Sequence, residues 1–286
     1  MTVAAAIYQA ATRLPGLSAR LDAEVLMRHV LGLSRIELYR GLFDVLTQAD
    51  EVLYSALIDR LIAGEPLQYL TGHTEFYGLE FYVNPTVLIP RPETEILVEK
   101  ALDIAMLKTG DKQHALVIAD VGCGSGAVAV TLAKHLPESV ILAIDTSPEA
   151  LSLARRNAAS QAVTNIEFIH GDLLEGVADR RIDIVCANLP YVPSVEARGN
   201  RFEPQLALDG GLDGLDIIRR LVSQITARDD QPDWLLLEFG SCQSAAVKSI
   251  IDQAFPGNRT EIIRDLIPLD RVSVTRLLPG HSPRSE

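Results

Sequence analysis

Residues 115–126 read ALVIADVGCGSG. The first five are apolar and carry β-branched Val117 and Ile118, the composition of a short buried strand. An acid, Asp120, and three glycines, Gly122, Gly124 and Gly126, come next, and AVAVTLAKHL then has the composition of a helix running to about Leu136. Strand, glycine turn and helix in that order make the first half of a parallel βαβ unit. Glycines at such a turn let the backbone come within contact distance of a ligand, and the helix N-terminus aims its amides there. Gly122, Gly124 and Ala127 also satisfy the loose G-x-G-x-x-A form, so this loop does not by itself separate a nicotinamide dinucleotide from another adenosine cofactor, and a plain tight turn is the simplest alternative.

The alternation continues outward from that turn. VILAID (140–145), IEFIHGD (166–172), IDIVCANL (182–189) and DWLLLEFG (233–240) read as strands. SPEALSLARRNAAS (147–160), LDIIRRLVSQIT (215–226) and QSAAVKSIIDQAF (243–255) read as helices between them. This pattern predicts a mostly parallel, doubly wound α/β sheet covered by helices on both faces. EIIRDLI (261–267) and VSVTRLL (272–278) close the chain with no helix between them, which predicts an antiparallel pair. The final PGHSPRSE reads as a loose tail.

Upstream the character changes. Residues 1–74 carry apolar positions three and four apart, in Ser18–His29, Arg35–Tyr39 and Val52–Ile62, punctuated by Gly16, Gly32, Gly41 and Gly64. They predict a small all-helical domain, either a packing module or a docking surface for a partner. In EFYGLEFYVN (75–84) aromatic residues surround Gly78, which suggests a β-hairpin within a connecting segment 75–90. Pro92 suits the first turn of a helix, Glu93 and Glu95 suit its positive end, and that helix should run to about Lys108. The main domain is expected over 91–280, with 281–286 as tail.

Bulk properties narrow the class. The 286 residues carry a formal net charge of −12, unlike the basic excess of proteins that grip long nucleic acids by their phosphates. The three cysteines, Cys123, Cys186 and Cys242, lie far apart, and no C-x-x-C or H-x-x-x-H spacing marks a metal site. Unpaired cysteines fit a reducing compartment. The N-terminus lacks the early basic residues of a signal peptide, and no apolar run is long enough for a membrane span, so a cytoplasmic protein is expected.

Chemistry gathers at the strand ends. Asp145, at the end of the second strand, can accept two hydrogen bonds from ribose hydroxyls, its alternative being a helix cap that Ser147 could supply instead. Asp172 after Gly171 could accept from an adenine amino group, or be an ordinary turn residue, and Leu173 would line the adenine face. Asn188-Leu189-Pro190-Tyr191 ends the fourth strand in one amide and a stiff turn. A planar NH2 group is a poor nucleophile because its lone pair is delocalised. The Asn188 side-chain oxygen and the Leu189 carbonyl could accept its two N–H bonds and aim the nitrogen at a methyl donor. Pro190 restricts Leu189 to extended geometry, and Tyr191 could stack on the planar group.

D-V-G-C-G-S-G, A-I-D-T-S-P-E-A-L and N-L-P-Y together resemble a class I, Rossmann-like S-adenosylmethionine methyltransferase that modifies amide or exocyclic nitrogen. G-H-T-E-F-Y-G-L-E-F, V-L-I-P-R-P-E-T-E, E-P-Q-L-A-L-D-G-G-L-D-G-L-D, and the N-terminal L-D-A-E-V-L with G-E-P-L-Q-Y-L-T-G, resemble the HemK/PrmC family over nearly the whole chain. The resemblance implies a seven-stranded methyltransferase sheet behind the helical domain. It implies methylation of the glutamine in the GGQ motif of class 1 peptide-chain release factors, an event of translation termination. The implied partners are those release factors; with the charge and the lack of a span above, no membrane and no direct nucleic acid are expected, and a monomer is expected. S-adenosylmethionine, leaving as S-adenosylhomocysteine, would lie against Asp120, Gly122, Cys123, Gly124, Ser125, Gly126, Asp145, Asp172, Leu173 and Asn188, with no metal. Asn188, Leu189, Pro190 and Tyr191 would grip the glutamine. Where the family reads N-P-P-Y, Leu189 stands at the first proline, which keeps the carbonyl and lowers loop ordering by roughly a few tenths to one kcal/mol. Arg91, Glu93 and Glu95 fall on the family's cleft wall, as substrate contacts or as helix caps. Three other readings remain: an adenine-amino methyltransferase of DNA or RNA, an NAD-dependent oxidoreductase that leaves Asn188–Tyr191 without a task, and a cofactor-free binding scaffold.

Overall fold

In the computed structural model, which describes residues 1–108, 115–177 and 179–278, the N-terminal apolar spacing resolves into α1 (Val3–Arg13), α2 (Ala19–Leu31), α3 (Arg35–Arg40), α4 (Gln48–Ile62) and α5 (Leu67–Thr71). The first of these lies in the expected helical domain, outside the segments singled out above for apolar spacing. Thr2 and Thr47 cap α1 and α4 through their side chains, and Ser34 with Glu37 forms a reciprocal capping box on α3. Ile7, Leu26, Met27, Leu38, Leu57 and Ile58 make a core of their own. Residues 1–73 form one compact unit and residues from Thr74 onward a second.

The larger unit opens with a two-stranded hairpin, β1 (His73–Phe76) and β2 (Leu79–Tyr82). Tyr77 and Gly78 both take positive φ, 51° and 70°, the pair of left-handed residues that a two-residue hairpin turn requires. Phe76 and Phe81 meet edge-to-face, with centroids 6.1 Å apart, inside the core of this unit, so the hairpin belongs to that core. After a short 3-10 turn at Pro92–Thr94 come α6 (Glu95–Lys108), β3 (Val117–Val121), α7 (Ala127–His135), β4 (Val140–Asp145), α8 (Pro148–Ser160), β5 (Ile166–His170) and β6 (Ile184–Ala187). Next follow α9 (Ser194–Ala197), α10 (Asp216–Thr226), β7 (Trp234–Glu238), α11 (Ser244–Ala254), β8 (Arg259–Arg264) and β9 (Asp270–Arg276). The expected tail at 279–286 lies outside the described residues.

The seven strands run in the order β5-β4-β3-β6-β7-β9-β8. The first five in that order pair in parallel, and β9 pairs antiparallel with both β7 and β8. Alternate residues of each strand feed two cores. Ile118, Ile141, Ile184 and Leu236 pack under the hairpin and α6 to α8, while Ala119, Leu142, Val185 and Leu235 pack under α10 and α11. Burial on both faces is why these strands read as continuous apolar runs rather than alternating ones. The chain enters the sheet at β3, winds out through β4 to β5, and returns to β6 on the other side of β3. The crevice beyond the carboxyl ends of β3 and β6 is therefore the topological switch point of the sheet, where open α/β folds bind their ligands.

Candidate active site

Register brings the two loops at the switch point together. Val121 pairs with Ala187 and with Ile144, so Gly122, Asn188 and Asp145 leave neighbouring strands side by side. Gly122, Gly124 and Gly126 all take left-handed φ, 75°, 53° and 80°, which a side chain would strain. At Gly122 an added Cβ would come 3.2 Å from Leu189 Cδ2, and at Gly126 it would come 3.0 Å from the Ala154 Cβ of α8. The first glycine thus admits the β6 loop and the third admits a helix. A Cβ at Gly124 would meet no protein atom within 4 Å, and Gly124 lines the cavity described below.

Asp145 holds the turn from one side. Its Oδ2 accepts the Gly124 N–H at 2.8 Å and its Oδ1 accepts the Ser147 N–H at 2.9 Å, while Ser147 Oγ caps α8 through Ala150 N–H at 3.1 Å. The cap and the carboxylate are separate devices, as the sequence allowed, and each Asp145 oxygen keeps a lone pair. Burial pushes the Asp145 carboxyl up, against the pull of those backbone donors. Asp120 is 2% exposed and its Oδ2 accepts the Ala129 N–H at 2.9 Å, pinning the first turn of α7. Burial raises Asp120 to about 7, and Cys123, beside both carboxylates, is raised for the same reason.

The strand that precedes Asn188 is shorter than the apolar run suggested, four residues ending at Ala187. Asn188 Nδ2 donates to Thr94 Oγ1 at 3.0 Å. Neither Asn188 Oδ1 nor the Leu189 carbonyl accepts a hydrogen bond among the described residues, and both residues line the cavity with Pro190. Leu189 is 3% exposed and packs in the core shared with Leu215 and Ile218, so burial supplies the ordering that a proline would have given. Tyr191 points elsewhere. Its hydroxyl donates to Glu238 Oε1 at 3.2 Å, its carbonyl accepts Gln243 Nε2 at 3.0 Å, and it is absent from the cavity wall. The expected stacking of its ring on a substrate amide is not prefigured in this arrangement.

The cavity measures about 710 Å³ and runs from Asp145, Asp172 and Leu173 past Gly122–Ser125 to Asn188–Pro190, in the range of small-molecule sites. Asp172 is ion-paired with Arg220 of α10, which also lines the cavity. Leu173 takes φ 57°, a conformation that strains a side chain other than glycine and collects at ligand sites. Of the charges left open above, Arg91 forms a two-oxygen bridge to buried Glu203 at 2.7 and 2.6 Å. Glu95 accepts the Tyr77 N–H at 2.7 Å, and Glu93 lies 4.0 Å from Arg271. Each therefore has a partner within this unit. The sequence reading missed Thr94, Glu203, Glu238 and Arg220 as site residues, because each meets its partner across a long stretch of chain; Thr94 and Glu203 fall in stretches quoted for the family resemblance, but nothing local marks their roles.

Two family models match this chain, the PrmC N-terminal domain over residues 5–72 and the methyltransferase small domain over residues 97–202. The chain is 39% identical over 279 residues to the release factor glutamine methyltransferase of Moorella thermoacetica, covering 95% of this chain and 97% of that one. It is 39% identical over 265 residues to that of Koribacter versatilis, 91% of each chain, and 39% identical over 269 residues to that of Neisseria gonorrhoeae, 91% and 94%. Among solved structures, the human METTL16 catalytic domain bound to the MAT2A 3′UTR hairpin 6 superposes with a TM-score of 0.56 at 14% identity, over 82% of this chain and 84% of that one. The N-terminal domain of human METTL16 in complex with SAH gives 0.54 at 14% identity, over 90% and 94%. At such identity the likeness is one of fold. The relatives match across both units, and the chain belongs to the family of release factor glutamine methyltransferases.

Proposed function

We propose that this chain transfers a methyl group from S-adenosylmethionine to the side-chain amide nitrogen of the glutamine in the GGQ motif of class 1 peptide-chain release factors. One observation carries the reading: two acceptors, Asn188 Oδ1 and the Leu189 carbonyl, have no partner among the described residues and belong to successive residues that line one cavity. A carboxamide NH2 has two N–H donors to match them.

The residues at the other end of the cavity fit the methyl donor. Asp145 offers lone pairs to a ribose diol beside Gly124, where an added Cβ would meet no protein atom within 4 Å. Leu173 gives an apolar wall, and Asp172 offers a carboxylate whose charge Arg220 already offsets. When bound, S-adenosylmethionine supplies an activated methyl group on a sulfonium centre. Asn188 and Leu189 hold the glutamine amide in plane and turn its nitrogen toward that end. Pro190 fixes the carbonyl, and buried Leu189 anchors the loop to Gly122. Proximity and orientation then supply most of the acceleration. Among the described residues no His or Lys lines the cavity, and in this reading the departing N–H proton passes to water.

The helical unit is the docking element in this reading. Tyr8, Ile36, Phe43, Val45 and Val52 are exposed large apolar residues on it, available for burial against a partner. Methyl transfer to a purified release factor, followed with labelled S-adenosylmethionine, tests the assignment. Asn188→Ala is expected to lower kcat on the order of 100-fold while leaving S-adenosylhomocysteine affinity within a few-fold by calorimetry. Full activity in Asn188→Ala would remove the basis of the reading.

A further inference from the structure

Glu238 ends β7, one strand away from Asn188 at the same edge of the sheet, since Ala187 pairs with Leu237. It is 1% exposed. Its Oε1 accepts the Tyr191 hydroxyl at 3.2 Å, and its Oε2 is buried without a hydrogen-bond partner among the described residues. Thr94 stands between this carboxylate and the acceptor loop. It is buried, its Oγ1 accepts from Asn188 Nδ2 at 3.0 Å, and its hydroxyl stabilises the ionised Glu238. The other charges bearing on Glu238 are Glu93, which disfavours its ionised form, and Arg271, which favours it. Arg271 is itself engaged by Asp265 at 2.8 Å.

A hydroxyl has a single proton to give. While Thr94 accepts from Asn188, that proton is free for an acceptor, and buried Glu238 Oε2, which has no other partner among the described residues, is an acceptor it can serve. An ionised carboxylate only accepts, so it fixes the direction of the chain: Asn188 donates to Thr94, and Thr94 turns its proton to Glu238. The two ends of an asparagine amide have nearly the same shape. Nothing but hydrogen bonding decides whether the cavity meets Oδ1 or the NH2. An NH2 in that place would oppose the N–H groups of an incoming carboxamide.

We propose that Glu238 and Thr94 are positioning residues that set the polarity of the Asn188 amide, holding Oδ1 toward the cavity as an acceptor. The proposal rests on the glutamine-methylating reading above. The same carboxylate holds the Tyr191 hydroxyl and so steadies both ends of the loop. One consequence follows from burial, which raises Glu238 to about 7. Protonated Glu238 can donate to Thr94, which is then free to donate to Asn188 Oδ1, and the amide polarity reverses. The relay is therefore intact above about pH 7 and fails as the pH falls through it.

The test uses the full chain, S-adenosylmethionine and a purified release factor, with kcat and KM measured from pH 5.5 to pH 9 and S-adenosylhomocysteine binding measured alongside. Thr94→Val, nearly isosteric but without the hydroxyl, is expected to lower kcat on the order of 10- to 100-fold with cofactor affinity unchanged, and Thr94→Ser to restore it. Wild-type kcat is expected to fall on the acid side of about pH 7, and Glu238→Gln to abolish that limb. If wild type methylates the glutamine while Thr94→Val keeps its kcat, or Thr94→Ser loses as much as Thr94→Val, the positioning role is wrong and the function stands. If Thr94→Val does not fold, Glu238→Gln decides alone, and an acid limb identical to wild type overturns the proposal. A wild-type chain that methylates no glutamine overturns both.

Discussion

Burial lifts the Glu238 carboxyl from its ordinary 4.5 to about 7, against the opposing effect of the Thr94 and Tyr191 hydroxyls. Below pH 4.5 the group is protonated whether the chain is folded or unfolded, and it costs nothing. As pH rises to 7 the unfolded chain ionises while the folded one resists, so wild type loses stability over that window and carries the full penalty above it. Glu238→Gln is therefore expected to melt several degrees higher than wild type at pH 8, a gain of up to about 3 kcal/mol, with the difference closing toward pH 4.5. Calorimetric melting across that range checks it, and a Gln variant less stable than wild type at pH 8 would contradict it. A residue retained at such a cost is what a functional site presents. The motif residues were legible because their chemistry is local: Gly122, Gly124 and Gly126 needed only a turn, and Asp145 and Asn188 needed only strand ends. Glu238 in LLLEFG carries no local signal, and Thr94, though inside the quoted VLIPRPETE, is not marked there for its role, since each is defined by what the sheet brings to it.

Among elements, the walls of the cavity depend on ties between distant segments. Arg91 and Glu203 bind the stretch that carries Pro90 to the stretch carrying Pro204–Ala207, and Pro90 and Pro204–Ala207 line the cavity. Glu203 also accepts from Ile89 N–H at 3.3 Å and Asn200 Nδ2 at 3.0 Å, with its side chain only 5% exposed. Arg91→Ala leaves that carboxylate buried without its cation. The expected loss is about 2 kcal/mol, below the full cost of a broken buried pair because Arg91 is itself 40% exposed, with weaker S-adenosylhomocysteine binding as the wall loosens. Urea unfolding and calorimetry would register both, and unchanged stability would show the pair to be dispensable. Strand positions were legible from apolar runs because both faces of this sheet are covered. Strand order was legible only in part, since periodicity shows neither that β9 lies between β7 and β8 nor that β6 begins only at Ile184. The first helix fell within the expected helical domain, but its alanine-rich run was not singled out by apolar spacing.

At the scale of the whole molecule, two units keep separate cores. Ile7, Leu26 and Leu57 close one, and the sheet with its helices closes the others. A chain beginning at Gly72 is therefore expected to fold and to bind S-adenosylhomocysteine within a few-fold of the full protein, while kcat/KM for a release factor falls on the order of 10-fold or more, because the exposed apolar residues of the helical unit are gone. Equal kcat/KM would deny that unit a docking role. Among the described residues no helix is long and apolar enough to cross a membrane.

The central claim is that an acceptor pair at the end of β6 directs methylation onto a glutamine side chain. Peptide mass spectrometry of a class 1 release factor, incubated with the purified chain and S-adenosylmethionine, tests it most directly. One added methyl on the nitrogen of the GGQ glutamine is the expected product, absent when Asn188→Ala replaces the wild type. A methyl on any other residue, or an unmodified release factor beside a chain shown to bind S-adenosylmethionine, would contradict it.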